Sequence, residues 1–184
     1  ATIMPHFNKR QTSRTTEHAR LRSTHNNKPL HVFNLHGLWT GGGKGDSQER
    51  FEQTHQILRH VNGTEEAIVL GGDFNLEPST RNIRLLESRG FDNLIKRYQV
   101  ANTRSNVHYS KVVRHADYVF TRNTRAIDFT VLQAHEVSDH LPLLERLHDI
   151  STTKLSLSQL EQLATPAIAQ VFYIQVTLQN TYFV

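Results

Sequence analysis

Ala67-Ile68-Val69-Leu70 has no polar side chain, and it runs into Gly71-Gly72 before reaching Asp73-Phe74-Asn75. Such a run reads as a strand. Its end is stripped of Cβ atoms and then presents a carboxylate and a carboxamide two residues apart. Residues at that spacing in extended chain face the same side, so Asp73 and Asn75 can point together into a cleft. The glycines allow tight backbone there. Taken alone, a strand followed by an acidic turn is a common structural pattern, and its meaning depends on what else the chain supplies.

Further strands are expected at Pro29 to His36, Ala116 to Phe120, Ile127 to Leu132 and Leu141 to Leu144, with a loop plus an edge strand within residues 1–29. Asp46 with Glu49 three residues later is a capping-box signal. It predicts a helix carrying Phe51, Leu58 and Val61 on one face and ending near Asn62-Gly63. A second helix is expected over about residues 79–89, ended by Gly90. Strands interleaved with helices indicate an α/β layered protein. With 184 residues, the chain suffices for one domain with a buried core. The reading places that domain at residues 1–149. It leaves 150–184 as an atypical tail, with a helix over 155–169 and a strand-like stretch within 171–179.

Bulk properties exclude several classes. There is no cysteine, which removes disulfides, thiolate metal sites and a thiol nucleophile. No apolar run is long enough to span a bilayer. No signal peptide is visible after Ala1, so a cytoplasmic setting is the expectation. Because the first residue is Ala1, the sequence is also read as an internal fragment. A net charge of +4 leans toward polyanionic partners, nucleic acid among them, although the excess is small and spread along the chain. Twelve histidines show no recognised zinc spacing. Gly41-Gly42-Gly43-Lys44-Gly45 fails as a phosphate-binding loop and reads as a flexible loop at a site edge.

Three more polar pairs flank strands. Asn34 and His36 share a face at a strand's C-terminal end, Asp117 opens an otherwise apolar strand, and Ser138-Asp139-His140-Leu141-Pro142 precedes another. A carboxylate suits a hard cation and an adjacent histidine suits a general base. Separately, Asp139 would pass for a turn residue and His140 for a strand opener. A buried Asp117 needs a partner, for which a histidine ring nitrogen is natural. Arg104, Lys111 and Arg114 could line a backbone-binding groove, yet scattered basic residues usually mark a wet surface. Trp39 and Tyr109 either stack on a base or sugar or simply pack at the rim.

The order of the four pairs resembles the endonuclease/exonuclease/phosphatase superfamily, the deoxyribonuclease I-like proteins. The motifs are Asn34/His36, Asp73/Asn75, Asp117/Tyr118 and Ser138/Asp139/His140/Pro142, and the resemblance spans roughly residues 1–148. It implies a four-layer αββα fold, a two-sheet sandwich flanked by helices. It also implies a metal-dependent hydrolase of phosphoester bonds, most readily a phosphodiesterase or nuclease, using Mg²⁺ or Mn²⁺. By position, His140 would activate water and Asp117 would orient its imidazole. Asp73 would align the water or hold metal, Asp139 would ligate metal, and Asn75 would donate to phosphoryl oxygens. His36 would stabilise developing charge or assist the leaving group. Asn34, Lys44 and Tyr109 are candidates for substrate contact.

One family feature is missing. The family has N-terminal strands that contribute a Gln-Glu whose Glu is the principal metal ligand. The only carboxylate among residues 1–45 is Glu17, which follows no apolar strand and lacks the preceding Gln. The domain is therefore expected to be N-terminally incomplete. Two alternatives stand beside the leading one: an inactive remnant or binding module lacking that Glu, and a phosphatase or lipid phosphodiesterase of the same family. Substrate and oligomeric state are not encoded legibly.

Overall fold

The computed structural model describes residues 16–23, 26–107, 109–112, 115–133, 138–151 and 174–179. Eight strands form two sheets. The first contains β1 (Thr16–Arg22), β2 (Pro29–His36), β3 (Ala67–Asp73), β5 (Asp117–Arg122) and the two-residue β4 (Asp92–Asn93), in the order β1-β2-β3-β5-β4. The second contains β6 (Ala126–Val131), β7 (Leu143–Ser151) and β8 (Ile174–Gln179). The helices are α1 (Gln48–His60), α2 (Arg81–Ser88) and the single-turn α3 (Leu94–Arg97). The architecture is thus an α/β two-sheet sandwich flanked by helices, of deoxyribonuclease I-like type. No helix among the described residues is long and apolar enough to cross a membrane.

The apolar run of β3 sits inside the first sheet, parallel to β2 and antiparallel to β5. Ile68, Val69 and Leu70 are fully buried, as a strand covered on both faces must be. One face carries Phe33, Ile68, Leu70, Tyr118 and Phe120. Helix α1 covers it, with His60 edge-on to Phe33 at 5.7 Å and Ile57 and Val61 buried. The opposite face carries Asn34, His36, Gly71, Asp73 and Asp117 in register.

Two local readings change. Ser47, not Asp46, caps α1, its hydroxyl accepting from the Arg50 amide at 3.3 Å. Asp46 instead caps α2 from a distance, accepting the Arg81 and Asn82 amides at 2.8 and 3.1 Å. Thr80, the residue at the α2 N-cap position, makes no side-chain cap, so the carboxylate takes over its task. The strand-like stretch of the tail is β8, which pairs parallel with β7. β7 itself crosses the expected boundary at 149/150. The helix expected over 155–169 lies outside the described residues.

Edge strand β1 is tied down by two linked histidines and an arginine that converge on one carboxylate. His18 Nε2 meets His31 Nδ1 at 2.8 Å, and His31 Nε2 meets Glu66 Oε2 at 2.5 Å. Arg20 grips the same carboxylate at 2.5 and 2.8 Å. These contacts join β1, β2 and the segment entering β3.

In the second sheet, Glu145 on β7 is 1% exposed and neither carboxylate oxygen has a hydrogen-bond partner among the described residues. Burial pushes its carboxyl up to about 8. The folded protein therefore binds a proton that the unfolded chain releases near pH 4.5, and stability falls as pH rises from 4.5 to about 8. Glu145→Gln should abolish that component. The difference in unfolding free energy between variant and parent should grow by on the order of 5 kcal/mol across this window, at about 1.4 kcal/mol per pH unit. Denaturant titrations at several pH values measure it, and a pH-independent difference would contradict the assignment.

Candidate active site

The C-terminal ends of β2 and β3 approach so closely that two positions exclude any side chain. A Cβ on Gly72, whose φ is +130°, would stand 2.0 Å from the Leu35 carbonyl oxygen. A Cβ on Gly37 would stand 2.5 Å from that of Phe74. The Gly37 amide donates to the Asp73 carbonyl at 2.5 Å, and the Asn75 carboxamide donates to the Gly37 carbonyl at 3.1 Å. Asn75 itself is left-handed at φ +52°, and its amide closes onto Asp73 Oδ1 at 2.7 Å. Both side chains are buried, so this turn presents Asp73 in a defined direction.

Asp73 is level with His36 on β2 and with Asp117 on β5. His140 arrives from the other side of the sequence. Its segment is paired with residues 103–105: the Ser105 amide donates to the Asp139 carbonyl and the Leu141 amide to that of Thr103, both at 3.0 Å. Asp73, Asp117 and His140 consequently bring one ligand atom each within 4.8 Å of one another. Two carboxylate oxygens and one imidazole nitrogen are a donor set that suits a divalent cation. His36 is level with Asp73 but is not a member of that group, and neither is Glu17, which is exposed on β1.

The proton on His140 can be located. Arg104 Nη1 is within bonding distance of His140 Nε2, and a guanidinium only donates. Nε2 is therefore the acceptor, and Nδ1–H donates to Asp117 Oδ1 at 2.7 Å. Asp117 Oδ2 accepts from the Thr103 hydroxyl at 2.9 Å, while the same hydroxyl accepts the Ala116 and Asp117 amides at 3.2 Å. Both Asp117 oxygens are thereby engaged. Burial first, and then the charge of Asp117, push the Asp73 carboxyl above the usual carboxylate range; His140, Arg104 and the Asn75 amide pull it back.

Several expectations are revised here. Arg104 is not a wet surface residue: it is 5% exposed at the centre of the site. Its Nη1 lies 2.7 Å from Asp139 Oδ2, and its Nη2 lies 3.8 Å from Asp73 Oδ2. The Asp139 carboxylate pairs with Arg104 and lies 3.9 Å from His140 Nε2, beside the Asp73–Asp117–His140 group but not a member of it, with its side chain about half exposed. Lys44 is buried with Nζ donating to the His115 carbonyl at 2.7 Å, and burial followed by Arg104 pushes it down to about 8. Tyr109 lies between two cations, Lys44 Nζ at 5.2 Å and the Arg104 guanidinium at 4.8 Å from its ring centre. Asn34 Oδ1 is buried without a partner, two residues before His36. Lys111 sits over Trp39 at 5.6 Å, and Arg114 lies outside the described residues. Thr103 went unnoticed in the sequence, because nothing local marks a threonine whose partners are 13 and 14 residues away.

A family model described as the endonuclease/exonuclease/phosphatase family matches residues 8–140. The chain belongs to that family. No curated protein matches it. Among solved structures, a protein of unknown function from Enterococcus faecalis is 21% identical at a TM-score of 0.58, covering 71% of this chain and 54% of its own. A mannosyl-6-phosphatase from Bacteroides thetaiotaomicron is 17% identical at 0.54, with coverages of 71% and 55%. Zebrafish (D. rerio) TDP2 complexed with a single-strand DNA product is 16% identical at 0.51, with coverages of 66% and 54%. These likenesses concern the fold, and this chain spans about half the length of each neighbour.

The glycine-rich segment before α1 is also better ordered by contacts than a flexible loop. Arg50, 2% exposed, donates to the carbonyls of Leu38 at 3.1 Å, Gly43 at 2.8 Å and Gly45. Arg50→Met keeps the bulk and orphans three carbonyls. It should destabilise the fold by roughly 2–4 kcal/mol and raise amide exchange across residues 38–45, both measurable by denaturation and hydrogen exchange. Unchanged exchange there would show that the loop does not depend on this guanidinium.

Proposed function

We propose that this chain is a phosphoester hydrolase, with phosphodiester cleavage of nucleic acid as its favoured reaction and a divalent cation, Mg²⁺ or Mn²⁺, as its cofactor. The observation that carries the reading is the His140 tautomer. Nδ1–H is held by Asp117, which leaves Nε2 as the ring's acceptor, in contact with Arg104 Nη1 and 3.9 Å from Asp73 Oδ2. That is the state an imidazole needs to take a proton from water.

In this reading Asp73 Oδ2 aligns the attacking water as His140 Nε2 removes its proton, and Asp117, braced by Thr103, stabilises the imidazolium that results. One amide proton of Asn75 is spent on Gly37, and the second is available to a phosphoryl oxygen. His36, level with Asp73 on the neighbouring strand, is assigned to the leaving-group side. Asp73 and Asp139 are the carboxylates assigned to hold the cation. When bound, it neutralises phosphoryl charge that these acidic groups would otherwise repel. Asn34, Lys44 and Tyr109 line the substrate side of the site in this proposal. The neighbours, a mannosyl-6-phosphatase and TDP2 complexed with a single-strand DNA product, bracket the choice between monoester and diester.

The test is hydrolysis of single- and double-stranded DNA, RNA and small phosphomonoesters with Mg²⁺ or Mn²⁺. His140→Ala should lower the rate by about 10²–10⁴-fold while leaving the melting temperature near that of the parent. Absence of cleavage of every substrate with either metal would overturn the reading.

A further inference from the structure

The site holds a cation of its own. Two carboxylates, Asp73 and Asp139, approach Arg104, which lies between them with almost no exposure of its own. Its Nη1 touches Asp139 Oδ2 and His140 Nε2, and its Nη2 faces Asp73 Oδ2. These are the two carboxylates assigned to the divalent cation and the nitrogen assigned to the base. A guanidinium and a metal ion cannot share that position, because like charges in a poorly hydrated pocket repel strongly.

The pose is also incompletely bonded. Arg104 Nε is buried with no hydrogen-bond partner among the described residues, and Nη2 at 3.8 Å is beyond hydrogen-bond range of Asp73. A buried donor left unmade carries a penalty, so this arrangement is poised to exchange for a better one. What keeps the side chain there is the ring of Tyr109 against one face, the pairing of Arg104 with His140 along the backbone, and the ion pair with Asp139.

We propose that Arg104 is the resident cation of the site, occupying the place of the divalent ion between Asp73, Asp139 and His140, so that metal binds only by displacing the guanidinium. This rests on the metal-dependent reading above and adds a cost to metal loading set by residue 104. Displacement also uncovers the His140 Nε2 lone pair, so loading the cation and freeing the base are one event.

Direct Mn²⁺ titration of the full 184-residue chain, followed by electron paramagnetic resonance of the free ion, tests this without reference to activity. Arg104→Gln should bind Mn²⁺ about tenfold or more tightly than the parent. Arg104→Lys, which keeps the charge, should stay within about threefold. Lys44→Gln removes the same charge from the same neighbourhood without vacating the position, and it should also change affinity by less than about threefold. Equal or weaker binding by Arg104→Gln overturns the proposal and leaves the metal-dependent reading standing. So does a gain in Lys44→Gln as large as that in Arg104→Gln, which would make the effect one of general field. No Mn²⁺ binding by any of the four proteins overturns both. If Arg104→Gln does not fold, the parent still decides: the Arg104 Nε–H resonance should move in step with a Mg²⁺ titration, and an unmoved resonance at saturation rejects displacement.

Discussion

The site depends on the register of one strand. β3 is parallel to β2 and antiparallel to β5, and that double pairing sets His36, Asp73 and Asp117 at one level on one face. A slip of one residue would turn Asp73 into the helix-covered core and bring Gly72 out in its place. The slip is prevented on both sides. Ile68 and Leu70 are buried under α1, and the backbone at Gly72 and Gly37 meets its neighbours too closely for any other register to be filled. Burial of an acidic group at that strand end is therefore imposed by the packing of the apolar residues before it.

Once Asp73 is fixed, electrostatics shapes the rest. Two carboxylates in register across β3 and β5 repel, which helps to push the Asp73 carboxyl upward. Relief comes from three directions: the Asn75 amide, the His140 ring and the Arg104 guanidinium. Asp117 is settled differently, by Thr103 on one oxygen and His140 on the other. The two acids thus have separate characters, one engaged at both oxygens and one with an oxygen facing the cleft. A general base and its orienting partner need that asymmetry, as does a cation ligand.

The surroundings show how polar chemistry is accommodated at the edge of an apolar core. Arg50 gathers three carbonyls of a glycine-rich segment that has no strand or helix of its own to satisfy them. Asp46, freed from α1 by Ser47, supplies the cap that α2 lacks. Glu145 is the exception, a buried carboxyl with no partner among the described residues, kept neutral by its surroundings. Each is a case in which a polar group is decided by what lies opposite it in space.

That distinction separates what the sequence determined from what it did not. Periodicity and glycine placement were sufficient for β2, β3, α1 and α2, because alternation and apolar runs are local consequences of burial. The motif pairs Asp73/Asn75 and Asp139/His140 were legible because side chains two apart on a strand, or adjacent before one, have fixed relations to the backbone. Arg104 and Thr103 were not legible. Their partners lie 35, 36, 13 and 14 residues away and are reached only through the pairing of residues 103–105 with 139–141. The same holds for Lys44, by sequence a cation in a glycine-rich loop at the site edge, which the fold buries against the His115 carbonyl. Chain-local spacing carries the identity of the family's acids and histidine. The cation set among them is a property of tertiary register alone, because nothing in a lone arginine's neighbours announces two carboxylates converging on it.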